Sequence, residues 1–221
     1  MGVGALLSVL YTWELGAGFG HVTRARALGS IATERGYQAT FALRDLRRAW
    51  FLGSKSHSVV QAPLIMKATP RRSAINYTDM LVLCGYDEES TVSAAVRSWV
   101  YLFEKSGADL VVIDHSPMAL LAAHIVGVHY LLIGNGFEIP PNEDPFPSLT
   151  PWNPTSNLAR DKIDRDILNV VNAGTRFFGG APVHSLSAFF SPKRSIITAP
   201  RILDHYGQRD GAWTYVRDLK S

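Results

Sequence analysis

His21 stands at the end of the stretch Trp13-Glu14-Leu15-Gly16-Ala17-Gly18-Phe19-Gly20-His21, where glycines alternate and a helical pattern opens at Val22. An imidazole at the mouth of such a loop can take a proton from a hydroxyl, and the free N–H groups of a helix starting there favour an anionic or strongly polar group. A second feature, Asp114-His115-Ser116, directly follows the apolar run Ala108 to Ile113. A third, Gly134-Asn135-Gly136-Phe137-Glu138, follows Val128 to Ile133. If all three follow strands of one parallel sheet, they meet at the carboxyl ends of those strands, where ligands collect. Asp114 then reaches His21. A carboxylate bonded to an imidazole fixes its tautomer and raises its basicity, so the pair would deprotonate a hydroxyl.

Each feature also has a plainer reading. A glycine loop between strand and helix can be only a tight connection, His21 can be an ordinary first-turn residue, and Asp114 can cap the helix that Ser116 begins. His115 and His124 read as structural or exposed rather than catalytic. The histidines and the lone cysteine show no ligand spacing, so no metal site is expected. A dinucleotide fingerprint needs G-x-G-x-x-G, but Gly16-Ala17-Gly18-Phe19-Gly20-His21 puts histidine where the last glycine belongs. The Gly-Lys-Ser/Thr of a P-loop is absent. A nicotinamide- or flavin-dependent oxidoreductase is therefore the weaker alternative, and no cofactor is expected.

The elements that must position these residues follow from periodicity and punctuation. The apolar run Val3 to Tyr11 reads as the first strand. Val22 to Arg35 has helical spacing closed by Gly36, and Tyr37 to Leu43 is the next strand. Strand, helix and strand at this length make a parallel pair with a right-handed crossover. Asp45 to Leu52 reads as a short helix and Ser58 to Gln61 as a third strand ended by Pro63. The pattern weakens from Pro63 to Glu89, with a loop at Pro70 to Ser73 and a short helix at Tyr77 to Cys84. Ser90 to Lys105 is a helix with a stripe of Val92, Ala95, Val96, Trp99, Val100 and Phe103. Ala108 to Ile113 is apolar without alternation, as a strand covered on both faces requires. Ser116 as N-cap and Pro117 at the first helical position open a helix, Met118 to Val126, ended by Gly127. Val128 to Ile133 is a strand, Gly134 to Pro154 an irregular binding loop, Asn157 to Asn172 a helix, and Ile196-Ile197 a last strand before a polar tail from Pro200. The expected fold is α/β, a Rossmann-like parallel sheet with helices on both faces.

Composition narrows the function. With 221 residues, 47% of them hydrophobic, the chain can bury one sizeable core. A formal net charge of +3 is too mild for a nucleic-acid partner, and the groups Arg44, Arg47, Arg48 and Arg71, Arg72 read as solvated surface. Cys84 has no partner for an internal disulfide, which suits a reducing compartment. The start lacks the basic region of a signal peptide, and no run approaches the roughly 20 apolar residues of a membrane span. A cytoplasmic protein with at most peripheral membrane contact is expected.

At these residues the chain resembles the N-terminal domain of GT-B fold glycosyltransferases, the superfamily of the UDP-glucuronosyltransferase-like and macrolide enzymes. Gly18-Phe19-Gly20-His21-Val22-Thr23-Arg24 is similar to their first-loop Gly-x-Gly-His motif. Asp109 to Ser116 with Ala119 to Ala123 is similar to their central strand, acidic turn and helix, and Gly127-Val128-His129 and Gly134 to Pro141 continue it. Ile202-Leu203-Asp204-His205-Tyr206-Gly207 looks like the approach to their interdomain linker. Many relatives carry proline soon after the histidine, where this chain has Thr23-Arg24.

The resemblance implies an acceptor-binding domain over residues 1–199 and the beginning of a linker over 200–221, with the donor domain absent. His21 would be the general base on an acceptor hydroxyl and Asp114 its orienting partner. Gly18, Phe19, Gly20, Arg24, His115, Ser116, Gly136, Phe137 and Glu138 would contact the acceptor, a small-molecule or lipid-like compound. A nucleotide sugar would be the co-substrate, bound mostly by the missing half, so the chain would be a truncated or split transferase, inactive alone. A non-catalytic binding or regulatory subunit is the alternative. A partner carrying the donor domain would cover an apolar cleft face, for which Phe19, Phe137, Phe146 and Trp152 are the candidates.

Overall fold

The computed structural model describes residues 7–53, 57–65 and 72–216. The expected strand residues Val3 to Leu6, the loop residues Pro70 and Arg71, and the chain from 217 onward lie outside them.

Seven strands form one sheet: β1 (Ser8–Trp13), β2 (Gln38–Leu43), β3 (Ser58–Gln61), β4 (Leu110–Asp114), β5 (His129–Gly134), β6 (Ser195–Ile197) and β7 (Thr214–Tyr215). Their order is β3-β2-β1-β4-β5-β6-β7, and every pairing is parallel. The connections are helical: α1 (Gly20–Glu34), α2 (Tyr77–Leu83), α3 (Glu89–Ser106), α4 (Pro117–Val126) and α5 (Asn157–Phe177).

Side chains of a strand alternate between faces. On β1, Leu10 enters one core with Val111, Ile113 and residues of α2 to α5, whereas Val9, Tyr11 and Trp13 enter a second core with Phe41, Val112 and residues of α1. Burial on both faces explains why β1 and β4 are apolar without alternation. Helix α4 is buried from Pro117 to Ala123, which its unbroken apolar sequence requires. The strand order reverses between β1 and β4, so their carboxyl ends flank the crevice characteristic of such sheets.

Several boundaries differ from expectation. β1 runs on to Trp13, and α1 begins at Gly20, placing His21 inside its first turn. Leu46–Leu52 is a 3-10 helix, capped by the Asp45 carboxylate, which accepts from the Arg47 N–H at 3.1 Å. α5 continues five residues past Asn172, to Phe177. Ser116 does occupy the N-cap position of α4, but its hydroxyl lies 3.4 Å from the Asp114 carbonyl and caps nothing. The cap comes from Glu14, 104 residues away, whose carboxylate accepts from the Met118 N–H at 3.1 Å.

The polar tail is also folded. Arg209, buried, donates from Nε and Nη2 to the two carboxylate oxygens of Asp204 (2.7 and 3.0 Å) and from Nη2 and Nη1 to the carbonyls of Gly136 and Ile139 (2.8 and 2.6 Å). The Tyr215 hydroxyl donates to Asp204 at 2.6 Å. A Cβ on Gly136 would collide with the Asp204 carboxylate and stand 2.9 Å from the His205 nitrogen, so glycine is what admits this close approach.

Candidate functional site

Around the switch point the segments after β1, β4 and β5 deliver four groups. The loop after β1 leads into α1, whose first turn carries His21 and, one turn on, Arg24. β4 ends in Asp114, and the turn after β5 folds Glu138 back. All four side chains are buried.

Asp114 is the hub. Its Oδ1 accepts from His21 Nδ1 at 2.8 Å and from Arg24 Nη2 at 2.6 Å. Its Oδ2 accepts from Arg24 Nε at 2.7 Å and from the Tyr11 hydroxyl. Burial alone would raise this carboxyl, but the charge of Arg24 and the donors around it outweigh burial and hold it at about 2. Arg24, for its part, is pushed up by Asp114 and Glu138 against the effect of its own burial, and stays charged.

The tautomer of His21 follows from counting hydrogens. Arg24 Nη2 lies 2.9 Å from His21 Nδ1, yet it carries only two hydrogens, which serve Asp114 Oδ1 at 2.6 Å and Glu138 Oε2 at 2.9 Å. Nδ1 therefore bears a hydrogen and donates it to Asp114. In the neutral ring the lone pair is then on Nε2, which faces Glu138 Oε1 at 3.7 Å. The ring is braced by Trp13, stacked on it at 4.8 Å between centroids and 18° between planes.

Gly16 packs against the imidazole of His21. A Cβ there would stand 2.7 Å from Nε2 and 3.3 Å from His115 Nδ1, and Gly16 has φ +83°, which any other residue resists. His115 is the one described non-glycine residue with positive φ, +47°. Its carbonyl accepts from the Leu15 N–H at 2.9 Å, tying the β1 loop to the β4 turn. Burial and the neighbouring His21 push the His115 imidazole down to about 3, so it is neutral. Glu138 is shifted upward, by burial first and then by the charge of Asp114. Asn135 steadies it, donating from its backbone N–H to Oε2 at 2.7 Å and from its side chain to Oε1 at 3.2 Å.

The structure brings His21, Arg24, Asp114, His115 and Glu138 together and leaves other expected site residues apart. Gly136 belongs to the tail clamp. Ser116 is buried beside the Asp114 carbonyl. Phe137 is half-buried, edge-on to His115 at 6.0 Å. Gly18, Phe19 and Gly20 form the outer rim, where Phe19 is 52% exposed with the Arg48 guanidinium 4.4 Å over its ring. Phe146, expected on an exposed cleft face, is instead in the core between Tyr77 and Phe190, while Trp152 is exposed. Arg44, read as solvated, is half-buried and donates to the Glu14 carbonyl at 2.6 Å. Beside the site, a cavity of about 10 Å³ is lined by His115 and Glu138 together with Tyr77, Pro117, Leu120 and Phe190.

Three residues of the site escape sequence reasoning. Tyr11 and Trp13 lie in an apolar strand and read as core. Their only signal is that they sit on the same face of β1, at alternate positions ending beside the loop. Glu14 carried a clearer one, a carboxylate at the end of a buried strand.

No known family profile matches the chain, and no curated protein does. Among solved structures it is similar to the spinosyn forosaminyltransferase SpnP (13% identity, TM-score 0.59, covering 96% of this chain and 51% of that one). It is similar to the glycosyltransferase SnogD from Streptomyces nogalater (13%, TM-score 0.57, 96% and 51%). It is similar also to SsfS6 from Streptomyces sp. SF2575, solved with thymidine diphosphate (14%, TM-score 0.54, 95% and 52%). The chain thus has the fold of one domain of GT-B glycosyltransferases and spans about half the length of the structures it matches. Among the described residues no helix is long and apolar enough to cross a membrane.

Proposed function

We propose that this chain is the acceptor-side half of a sugar-transferring cleft, with His21 as general base. The observation that carries the reading is the hydrogen bond from His21 Nδ1 to Asp114, which leaves Nε2 of the neutral ring to accept a proton. An acceptor hydroxyl donates its hydrogen to Nε2. Its oxygen attacks the anomeric carbon of a nucleotide sugar, and the nucleotide leaves with the electron pair of the broken C–O bond. The proton stays on His21, whose imidazolium is stabilised by the ionised Asp114. Arg24 keeps Asp114 ionised and oriented.

Catalysis needs donor and acceptor held in reactive geometry, and this reading puts the nucleotide-sugar site on the other half of the cleft. SsfS6, of similar fold, was solved with thymidine diphosphate, which supports a nucleotide-linked donor. The test is a transfer assay over a panel of nucleotide sugars and hydroxylated acceptors, run on the chain alone and on the chain with a donor-binding domain supplied. Turnover only in the second mixture, lost in His21→Ala, is the expected result. Turnover by the chain alone would overturn the half-site reading. Full turnover by His21→Ala in the paired mixture would overturn the base assignment.

A further inference from the structure

We propose that the 3-10 helix Leu46–Leu52, with Phe19 and Arg26 beside it, docks this chain on the surface of an anionic lipid bilayer. Ring contacts join these side chains into one patch. The Arg48 guanidinium lies 4.4 Å over the Phe19 ring, and that of Arg26 lies 5.5 Å over Phe51. Phe51 meets Phe19 and Trp50 edge-on, at 5.7 and 5.6 Å between centroids. A 3-10 helix has three residues per turn, so Arg47 and Trp50 share one side of it. Both face water: the Arg47 side chain is 90% exposed and Trp50 is 72% exposed. Rings that leave water on insertion, set among guanidinium groups that stay with the headgroups, are the composition of an interfacial anchor.

Charge selects the occupant. Arg47 and Arg48 share one carboxylate, Asp45, at 2.9 and 3.5 Å. Helix α1, which supplies Arg26, has no acidic residue before its last, Glu34. From Leu15 to Thr78 the sequence carries ten Lys and Arg against two Asp and Glu, whereas the whole chain carries 22 against 19. The positive excess is thus concentrated in the stretch that bears the patch, and it complements the negative surface potential of anionic lipids. Exposed rings alone would suit a protein partner, but rings in a basic field fit anionic headgroups over an acyl layer. Phe19 is two residues before His21, so a docked chain holds the rim of the candidate site near the headgroups.

The proposal goes beyond the transfer reading and does not rest on it. The test is co-sedimentation of the purified chain with vesicles of phosphatidylcholine alone and of equal parts phosphatidylcholine and phosphatidylglycerol, with no donor or acceptor present. Binding to the anionic vesicles only, lost at about 1 M salt, is the expected result. Trp50→Ala, Arg26→Gln and Arg47→Gln should each bind about fivefold more weakly. Trp152→Ala, at an exposed indole elsewhere, should bind like the parent. No binding to the anionic vesicles, or equal binding to both kinds, overturns the proposal. Unchanged affinity in Trp50→Ala with loss only in the arginine variants also overturns it, since that marks a general polyanion surface. Sedimentation velocity without lipid tests the rival occupant: a dimer dissolved by Trp50→Ala would mean that the patch meets a second copy of the chain, and would overturn membrane docking.

Discussion

Two buried Arg–Asp pairs lie at the carboxyl edge of this sheet, and they differ in what they leave over. In the tail, Arg209 spends its donors on both oxygens of Asp204 and on two backbone carbonyls, while Asp204 receives Tyr215 as well. The pair is closed. In the candidate site, Arg24 and Asp114 satisfy each other just as well, but they do so around a third group, His21, and a fourth, Glu138. What remains is His21 Nε2, 3.7 Å from Glu138, and His115 Nε2, which has no hydrogen-bond partner. The Arg209–Asp204 pair is satisfied within itself, whereas the Arg24–Asp114 pair also holds His21 and Glu138. On this view the two arginines should respond differently to mutation, one through stability and the other through chemistry.

The largest effect expected is at the closed pair. Arg209→Ala leaves Asp204 buried without its cation and should cost about 3–5 kcal/mol, measured by urea denaturation. A loss below about 1 kcal/mol would mean that the tail does not support the domain. At the open network, His21→Ala should lower transfer in the paired mixture by about 10²–10⁴-fold. Denaturation of that variant should show a smaller loss than Arg209→Ala, and the opposite ranking would erase the contrast between the two regions.

Glu14 sharpens the comparison, because among the described residues its buried carboxyl makes no ion pair. Burial raises it from 4.5 to about 7, against the hydrogen bonds from Tyr86 and Met118. The folded state then holds a proton that the unfolded chain releases. Stability should therefore fall as pH rises from about 4.5 to about 7, by on the order of 3 kcal/mol. Asp114 has the opposite sign. Its carboxyl is held at about 2 against an ordinary 3.8, so its contribution is present above that ordinary value and is lost as pH falls toward 2. Denaturation at a series of pH values should show both slopes, and Glu14→Gln should flatten only the upper one. The smallest effect expected is Tyr11→Phe, which removes one donor from Asp114 and should cost about 1.5–3 kcal/mol, with transfer reduced far less than in His21→Ala.

The positions of His21 and Asp114 were legible because a parallel sheet constrains where strand ends fall: Asp114 ends an apolar run, and His21 closes the glycine loop that follows one. Arg24 and Glu138 were legible as members of the site but not in their roles, since their pairing depends on α1 and the turn after β5 meeting in space. Tyr11, Trp13 and Glu14 were hidden because a strand buried on both faces has no alternation to reveal which side chains look toward the loop. Ser116 misled for a related reason. Local capping rules assume that the helix start is open to its own neighbours, whereas here the N–H groups of α4 are already taken by Glu14. The tail was illegible because its order depends on a glycine at 136 admitting Asp204, a fit that no local pattern encodes.

The bonds from Arg209 have a mechanical consequence. They land on the carbonyls of Gly136 and Ile139, which bracket Phe137 and Glu138. A pull on the strand at Thr214 and Tyr215 is borne partly by Asp204 and Arg209 and delivered to that four-residue span. The tail is thus tied by hydrogen bonds to the short span that carries the carboxylate opposite His21.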